Sequence, residues 1–277
     1  KEIVENLIST FLSAGKLAIA LRKEGLTKEI KSDNTPVSNG DLEVNKILSE
    51  KLKRLTPEIP IVSEETSENK SARDLKNFWL VDPIDGTYDY INNLDEFTIN
   101  AGLILDKKPV AGLIYAPAKN RMFYSYEESH AFELINGNAI KLDGSKYFNK
   151  QKIKFVSYSN DIKPEIQKIF DNLNVKEHKK VKSSLKFCLV ACGEFDGYVA
   201  EPRAHEWDIA AGHAILKHSG GSITDFENKE ILYGKKDFKN TSLIIKSKKL
   251  IYGWTIKNNI DYYCISLDFW VNLICLC

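Results

Sequence analysis

Trp79-Leu80-Val81-Asp82-Pro83-Ile84-Asp85-Gly86-Thr87 is the stretch on which the reading of the whole chain turns. The apolar run from Phe78 to Val81 predicts a short buried strand ending at Asp82. Pro83 fixes its own φ and offers no amide donor, so a turn is expected there. Two carboxylates three residues apart at a strand end can converge on hard cations, which favour oxygen ligands. Gly86 lets backbone approach closely, and Thr87 adds a hydroxyl beside free amides. Together these groups suit a metal-bridged phosphate. A capped turn uses the same residue types, so this stretch alone leaves both readings open.

With 277 residues, the chain can bury a sizeable core in one large or two smaller domains. A composition of 43% hydrophobic and 28% charged residues is that of an ordinary soluble globular protein. A net charge of +1 gives no electrostatic reason to expect nucleic acid or an anionic membrane as partner. The five cysteines (Cys188, Cys192, Cys264, Cys275, Cys277) are odd in number and unevenly spread. That argues against a disulfide framework and for a reducing compartment. Residues 1–24 mix Lys and Glu without the apolar core of a signal peptide. No apolar run is expected to reach the roughly 20 residues of a membrane-spanning helix, so a cytoplasmic location is expected. A chain opening on Lys1 points to a trimmed or fragmentary N-terminus.

Outward from the central stretch, Ile3, Leu7, Phe11, Ala14, Leu17, Ala18 and Leu21 recur at helical spacing, with Gly25 to end the helix. Residues 31–38 have turn composition. A second helix runs from about Gly40 to Pro57, with Ser38 or Asn39 as N-cap. A strand at Ile59–Val62 leads to Ser63-Glu64-Glu65 and a charged loop, 66–76. Residues 97–105, 109–116, 121–126 and 130–135 predict successive antiparallel strands joined by Asp106-Lys107-Lys108 and Asn136-Gly137-Asn138 turns. The Lys-rich segment 141–152 is taken as a domain boundary. Beyond it strands (153–158, near 181, 195–200, 221–226, 241–246) alternate with helices (162–173, 184–193, 206–219, 248–258), the pattern of a layered α/β half. An N-terminal α+β domain (1–145), a C-terminal α/β domain (146–258) and an atypical apolar tail (259–277) result.

Four acidic patches fall at element ends: Asp33, Glu64-Glu65, Asp82 with Asp85, and Asp208. Clustered carboxylates repel unless cations join them, and oxygen ligands favour Mg²⁺ or Mn²⁺ over zinc. Singly, each patch is better explained as a solvated loop or a helix cap, Asp208 included. Ser183-Ser184-Leu185-Lys186 opens a helix, where hydroxyls and a Lys suit a phosphate but also an ordinary cap. His205, His213 and His218 share no zinc spacing with the cysteines and are taken as surface or core residues.

Three of these segments in order, Ser63-Glu64-Glu65, Asp82-Pro83-Ile84-Asp85-Gly86-Thr87 and Trp207-Asp208-Ile209-Ala210-Ala211-Gly212, resemble the signatures of the inositol monophosphatase superfamily. The likeness spans roughly residues 1–258. It is nearer to the CysQ branch, the 3'(2'),5'-bisphosphate nucleotidases, through Lys31-x-Asp33-x-Thr35-Pro36-Val37-Ser38, Phe97-Thr98-Ile99-Asn100, Gly112-Leu113-Ile114-Tyr115-Ala116-Pro117 and Ser183 to Val190. The chain departs from that branch at Asn160, usually His, at Lys182, usually Gly, and at Val199-Ala200, usually Pro-Arg, with Arg203 three residues on.

The resemblance implies a layered α-β-α-β-α sandwich, a mixed α/β fold, and a phosphomonoesterase using two or three Mg²⁺ ions, with Mn²⁺ an acceptable replacement. Glu64, Asp82 and the Ile84 carbonyl would hold one ion, Asp82, Asp85 and Asp208 the second, and Asp41 would assist a third. Asp33, Glu64 and Thr87 would act on the attacking water. Asp85, Gly86, Thr87 and Asp208 would face the reacting phosphate, and Ser183 and Lys186 a second one. The implied substrate is adenosine 3',5'-bisphosphate. Inositol 1-phosphate or a sugar phosphate is the alternative. A catalytically silent cation- or nucleotide-binding protein and a scaffold acting through the tail are the readings from other classes. The partner expected is a small phosphorylated molecule, with no nucleic acid and no membrane span, and a homodimer is compatible with this reading.

Overall fold

The computed structural model describes residues 1–31, 34–66, 68–71, 74–145 and 152–251. Two helices open the chain, α1 (Glu2–Glu24) and α2 (Asn39–Leu55), with the short strands β1 (Lys28–Ile30) and β2 (Pro36–Ser38) paired between them. Gly25 ends α1 at φ 109°, a value open to glycine without strain. Ser38 caps α2 in a capping box with Asp41.

A seven-stranded sheet follows in chain order, from β3 (Ile61–Ser63), β4 (Phe78–Asp85), β5 (Thr98–Leu105) and β6 (Lys108–Ala116) to β7 (Arg121–Glu127), β8 (His130–Ile135) and β9 (Asn138–Lys141). β3 and β4 are parallel and the rest antiparallel. The short helix α3 (Thr87–Ile91) lies between β4 and β5. The second, five-stranded sheet has the order β11-β10-β12-β14-β13, from β10 (Ile153–Ser157), β11 (Val175–Lys180), β12 (Gly197–Ala200), β13 (Ser222–Thr224) and β14 (Leu243–Lys246). Its helices are α4 (Pro164–Asn172), α5 (Leu185–Ala191) and α6 (Glu206–His218).

Both faces of the first sheet are covered, which is why β4 is a continuous apolar run. Trp79 and Val81 pack with Leu7 and Phe11 of α1 and Leu48 of α2. Phe78 and Leu80 face the other way, in a core with Leu185 and Phe187 of α5, Ile209 and Ile215 of α6, and Tyr198 and Ile245 of the second sheet. Phe170 of α4 closes the far side with Phe155 and Val199. The layers are therefore helix, sheet, helix, sheet, helix. α6 comes unusually near the first sheet: a Cβ on Gly102 would lie 2.7 Å from the Ala210 Cβ, and one on Gly112 would collide with the Ala211 carbonyl.

Several expectations need correction. β4 does not stop at Asp82 but runs to Asp85, because a bulge between Asp82 and Asp85 absorbs the missing Pro83 donor. Residues 31–38 are partly paired as β2, and α3 and β9 were not expected. β11 ends before residue 181. α1 is long and apolar enough to cross a membrane by length and composition, contrary to expectation; its Val4, Leu7, Phe11, Ala14 and Ala18 are buried in the core. Only the first residues of the expected 248–258 helix, the ends of the 141–152 segment, and none of the 259–277 tail fall within the described residues.

Candidate active site

Parallel pairing of β3 with β4 sets Ser63 against Val81, so Glu64, just past the end of β3, and Asp82, within β4, come to the same level. The Glu64 amide donates to the Val81 carbonyl at 3.0 Å, fixing Glu64 next to Asp82. Asp208 arrives from the opposite layer, three residues into α6, where it accepts the His205 amide at 2.7 Å. Capping a helix and joining the cluster are thus compatible roles for Asp208. Oxygens of Glu64, Asp82 and Asp208 all lie within 4.8 Å of one another.

This cluster is electrostatically costly as it stands. Asp82 is 1% exposed, and both its oxygens are buried without a hydrogen-bond partner. Burial, then Glu64, Asp85 and Asp208 in turn, drive its pKa well above the usual carboxylate range. Burial and the neighbouring Asp85 and Glu64 push Asp208 up to about 8. Burial raises Glu64 to about 7, with Lys31 opposing and Glu65 and Asp85 adding to the rise. Burial also raises Asp85, against Lys186, the Ser184 amide and Arg203. Buried carboxylates left without donors call for a cation. An all-oxygen set without Cys or His suits a hard divalent ion, so the residues present fit Mg²⁺ or Mn²⁺. Lys31 supplies part of the missing positive charge, 2.7 Å from Glu65 and 3.4 Å from Glu64.

The hydroxyl of Thr87 lies 3.0 Å from both the Asp41 carboxylate and the Ile84 carbonyl. Asp41 is fully buried and also accepts the Ser38 amide at 2.8 Å and the Ser38 hydroxyl at 2.6 Å. Burial raises its pKa despite those donors. Gly86, at φ 98°, occupies a conformation that penalises a side chain, and a Cβ there would lie 2.7 Å from the Glu96 carbonyl. Asp33 lies outside the described residues.

Beside the cluster is a pocket of about 100 Å³ bordered by Asp85, Ser183, Ser184, Lys186, Arg203 and Asp208, among others. The Ser183 hydroxyl is buried without a partner, on a residue held at φ 56°. Lys186 is buried, its ammonium bonded to the Ser183 carbonyl. Burial lowers its pKa to about 8, with Asp85 opposing and Arg203 adding to the fall. A second cavity of about 500 Å³ adjoins the first and shares Tyr158, Tyr198, Ala200 and Arg203 with it. At that junction the Arg203 guanidinium sits 3.3 Å from the Tyr158 ring centroid.

Glu64 and Asp82 therefore cluster with Asp208, which lines the pocket with Asp85, Ser183 and Lys186, while Ile84, Gly86 and Thr87 belong to the turn around Asp85. Sequence reasoning missed the pairing of Thr87 with Asp41, for which the Ser38-x-x-Asp41 capping box was a signal, and the Lys31 counter-ion. It also missed Tyr158, which carries no motif. His213 is a core residue that hydrogen-bonds the Tyr233 hydroxyl at 3.0 Å.

Known proteins resemble this chain along most of its length. The family model described as the inositol monophosphatase family matches residues 2–259. The 3'(2'),5'-bisphosphate nucleotidase CysQ of Aggregatibacter actinomycetemcomitans is 31% identical over 247 residues, 88% of this chain and 92% of that protein. The protein of the same name from Escherichia coli K12 is 33% identical over 208 residues, covering 75% and 83%. Among solved structures, CysQ from Bacteroides thetaiotaomicron superposes with a TM-score of 0.71 at 27% identity, covering 88% of this chain and 96% of that one. The IMPase of Thermotoga maritima gives 0.71 at 26% identity, covering 90% and 93%. The chain belongs to the inositol monophosphatase family, and is a phosphatase of that metal-dependent kind.

Proposed function

We propose that this protein is a Mg²⁺-dependent 3'(2'),5'-bisphosphate nucleotidase that hydrolyses adenosine 3',5'-bisphosphate to AMP and phosphate. The observation that carries the chemistry is the buried carboxylate set Glu64, Asp82 and Asp208, whose Asp82 oxygens lack any hydrogen-bond donor. Glu64, Asp82, Asp85, Asp208 and the Ile84 carbonyl would hold two ions, and Asp41 stands near enough to Thr87 to serve a third. When bound, such ions acidify a water and offset the charge that builds on the phosphoryl oxygens.

The protein's own groups do the rest. Thr87 donates its proton to Asp41, so its oxygen lone pairs are free to accept a hydrogen bond from the attacking water. The elevated pKa of Asp41 makes it an able acceptor for that proton. Asp33 falls in the same role from sequence. Gly86 and Thr87 amides hold the reacting phosphate.

For the substrate, Ser183, Lys186 and Arg203 form an anion-binding wall about the smaller pocket, suited to the phosphate that is not cleaved. An anion there would draw the Lys186 pKa back up. The adjoining cavity is large enough for a nucleoside. The relatives named as CysQ nucleotidases support the same choice. Free thiols at Cys188 and Cys192 suit a reducing, cytoplasmic setting.

The test is phosphate release from adenosine 3',5'-bisphosphate and from inositol 1-phosphate in Mg²⁺, with and without Li⁺. A preference for the bisphosphate is expected. A clear preference for inositol 1-phosphate would overturn the substrate assignment and leave the metal chemistry standing.

A further inference from the structure

Lys182 immediately precedes Ser183 and takes no part in the chemistry above. Its ammonium lies 2.7 Å from Asp89 Oδ1. Asp89 belongs to α3, two residues after Thr87, and is only 2% exposed. The Lys182 amide donates to Glu96 Oε2 at 3.1 Å. The other Glu96 oxygen pairs with Lys119 at 3.0 Å, and the Glu96 carbonyl borders Gly86. Two residues further on, the Ser184 hydroxyl bonds Asn100 Oδ1 at 2.6 Å and Thr98 Oγ1 at 2.8 Å, both on β5. The segment 182–184 is thus tied to the Thr87 turn and to the first sheet, while Lys186 follows it at the start of α5.

We propose that Lys182 is a positioning residue: by pairing with Asp89 and Glu96 it fixes the separation between the turn bearing Thr87 and the segment bearing Ser183 and Lys186. This rests on reading those two segments as the opposite walls of the substrate site. Thr87 follows β4 of the first sheet and Ser183 leads into α5 of the next layer, so their spacing depends on contacts between layers. A drift of about 1 Å in such a spacing costs up to about 100-fold in rate. Asp89 is buried, so removing its partner leaves a desolvated carboxylate that pulls α3 toward water. The Ser184 bonds to Thr98 and Asn100 retain part of the geometry, and about a tenfold loss is expected.

The experiment compares Lys182→Ala, Asp89→Asn, the double variant and Lys182→Arg, on adenosine 3',5'-bisphosphate and on inositol 1-phosphate, with Tm recorded for each. The expected result is a fall of about tenfold in kcat by the same factor on both substrates, with KM altered less than about twofold. The double variant is then no worse than the poorer single one, because both remove the same pair. Lys182→Arg, which keeps the pair, keeps most of kcat. Unchanged kcat in Lys182→Ala, or a loss confined to KM for the bisphosphate, would overturn the proposal; the latter would make Lys182 a direct ligand of the second phosphate. A wild-type preference for inositol 1-phosphate sinks the nucleotidase reading while the clamp is still judged on that substrate. Wild-type protein inert on both removes the site reading and the clamp with it.

Discussion

At the scale of single residues, Asp82 carries the sharpest conflict in the molecule, since it is buried among like charges and its oxygens find no donor. Asp82→Asn removes that charge with little change of shape. The metal-free variant is expected to be more stable than the parent by roughly 1 kcal/mol, an increase of a few degrees in Tm, while phosphatase activity falls by at least about 10³-fold. A variant both less stable without metal and fully active would contradict this account of Asp82. Thr87 gives a second comparison. Thr87→Val should lower kcat by about 10²- to 10⁴-fold with KM little altered, and Thr87→Ser should keep most of it, because the hydroxyl and not the methyl contacts Asp41. Equal activity of the Val and Ser variants would remove Thr87 from the chemistry. The carboxylates were legible in sequence because acidic residues at strand ends, repeated in a recognisable order, have few structural uses in common. The Thr87–Asp41 contact was not, since Asp41 serves the Ser38 capping box and nothing local shows that its second oxygen reaches across to another element.

At the scale of elements, the small-residue start of α6 matters more than its polarity. Ala210 and Ala211 press against Gly102 of β5 and Gly112 of β6, and Gly212 against Phe187 of α5. Asp208 stands two residues before Ala210 on the same helix, so the packing of α6 sets the depth at which its carboxylate meets Asp82. Gly112→Ala would drive a methyl into the Ala211 carbonyl. A destabilisation of about 1–3 kcal/mol is expected, together with reduced activity at limiting Mg²⁺ that excess Mg²⁺ partly restores. Melting curves and a Mg²⁺ titration check both, and an unchanged Tm would show that the close approach is not needed. The long strands and helices were legible from periodicity because each buries an unbroken apolar face. The short elements were not: β2 spans three residues and α3 five, too few for a period to emerge. The run of β4 past Pro83 depends on a bulge that pairing with β5 sets, which no local pattern encodes.

At the scale of the whole molecule, the site is a seam where the first sheet and α6 deliver like charges to one place. Asp208 pushed up to about 8 and Glu64 to about 7 have a stability consequence. Against ordinary values of 3.8 and 4.5, the folded metal-free protein holds more protons than the unfolded chain across that interval. The contribution of these two carboxylates is therefore greatest on the acid side and is lost as pH climbs from about 4 to about 8. Mg²⁺ needs the ionised carboxylates, so the rise in Tm that it produces should grow over the same interval, and be larger near pH 8 than near pH 6. His213, held neutral by burial with a pKa of about 3, contributes alike with and without the cation and cancels in the difference. An equal Mg²⁺ shift at both pH values would contradict the clustering of charges. Sequence order revealed which segments belong together, but the electrostatic tension between them exists only once the layers close. The most direct test of the central claim is AMP formation from adenosine 3',5'-bisphosphate followed as Mg²⁺ is chelated and then restored, in the parent and in Asp82→Asn. Activity should vanish with chelation, return with Mg²⁺ in the parent, and stay absent in the variant. AMP formation that persists after chelation, or a variant as active as the parent, would contradict it.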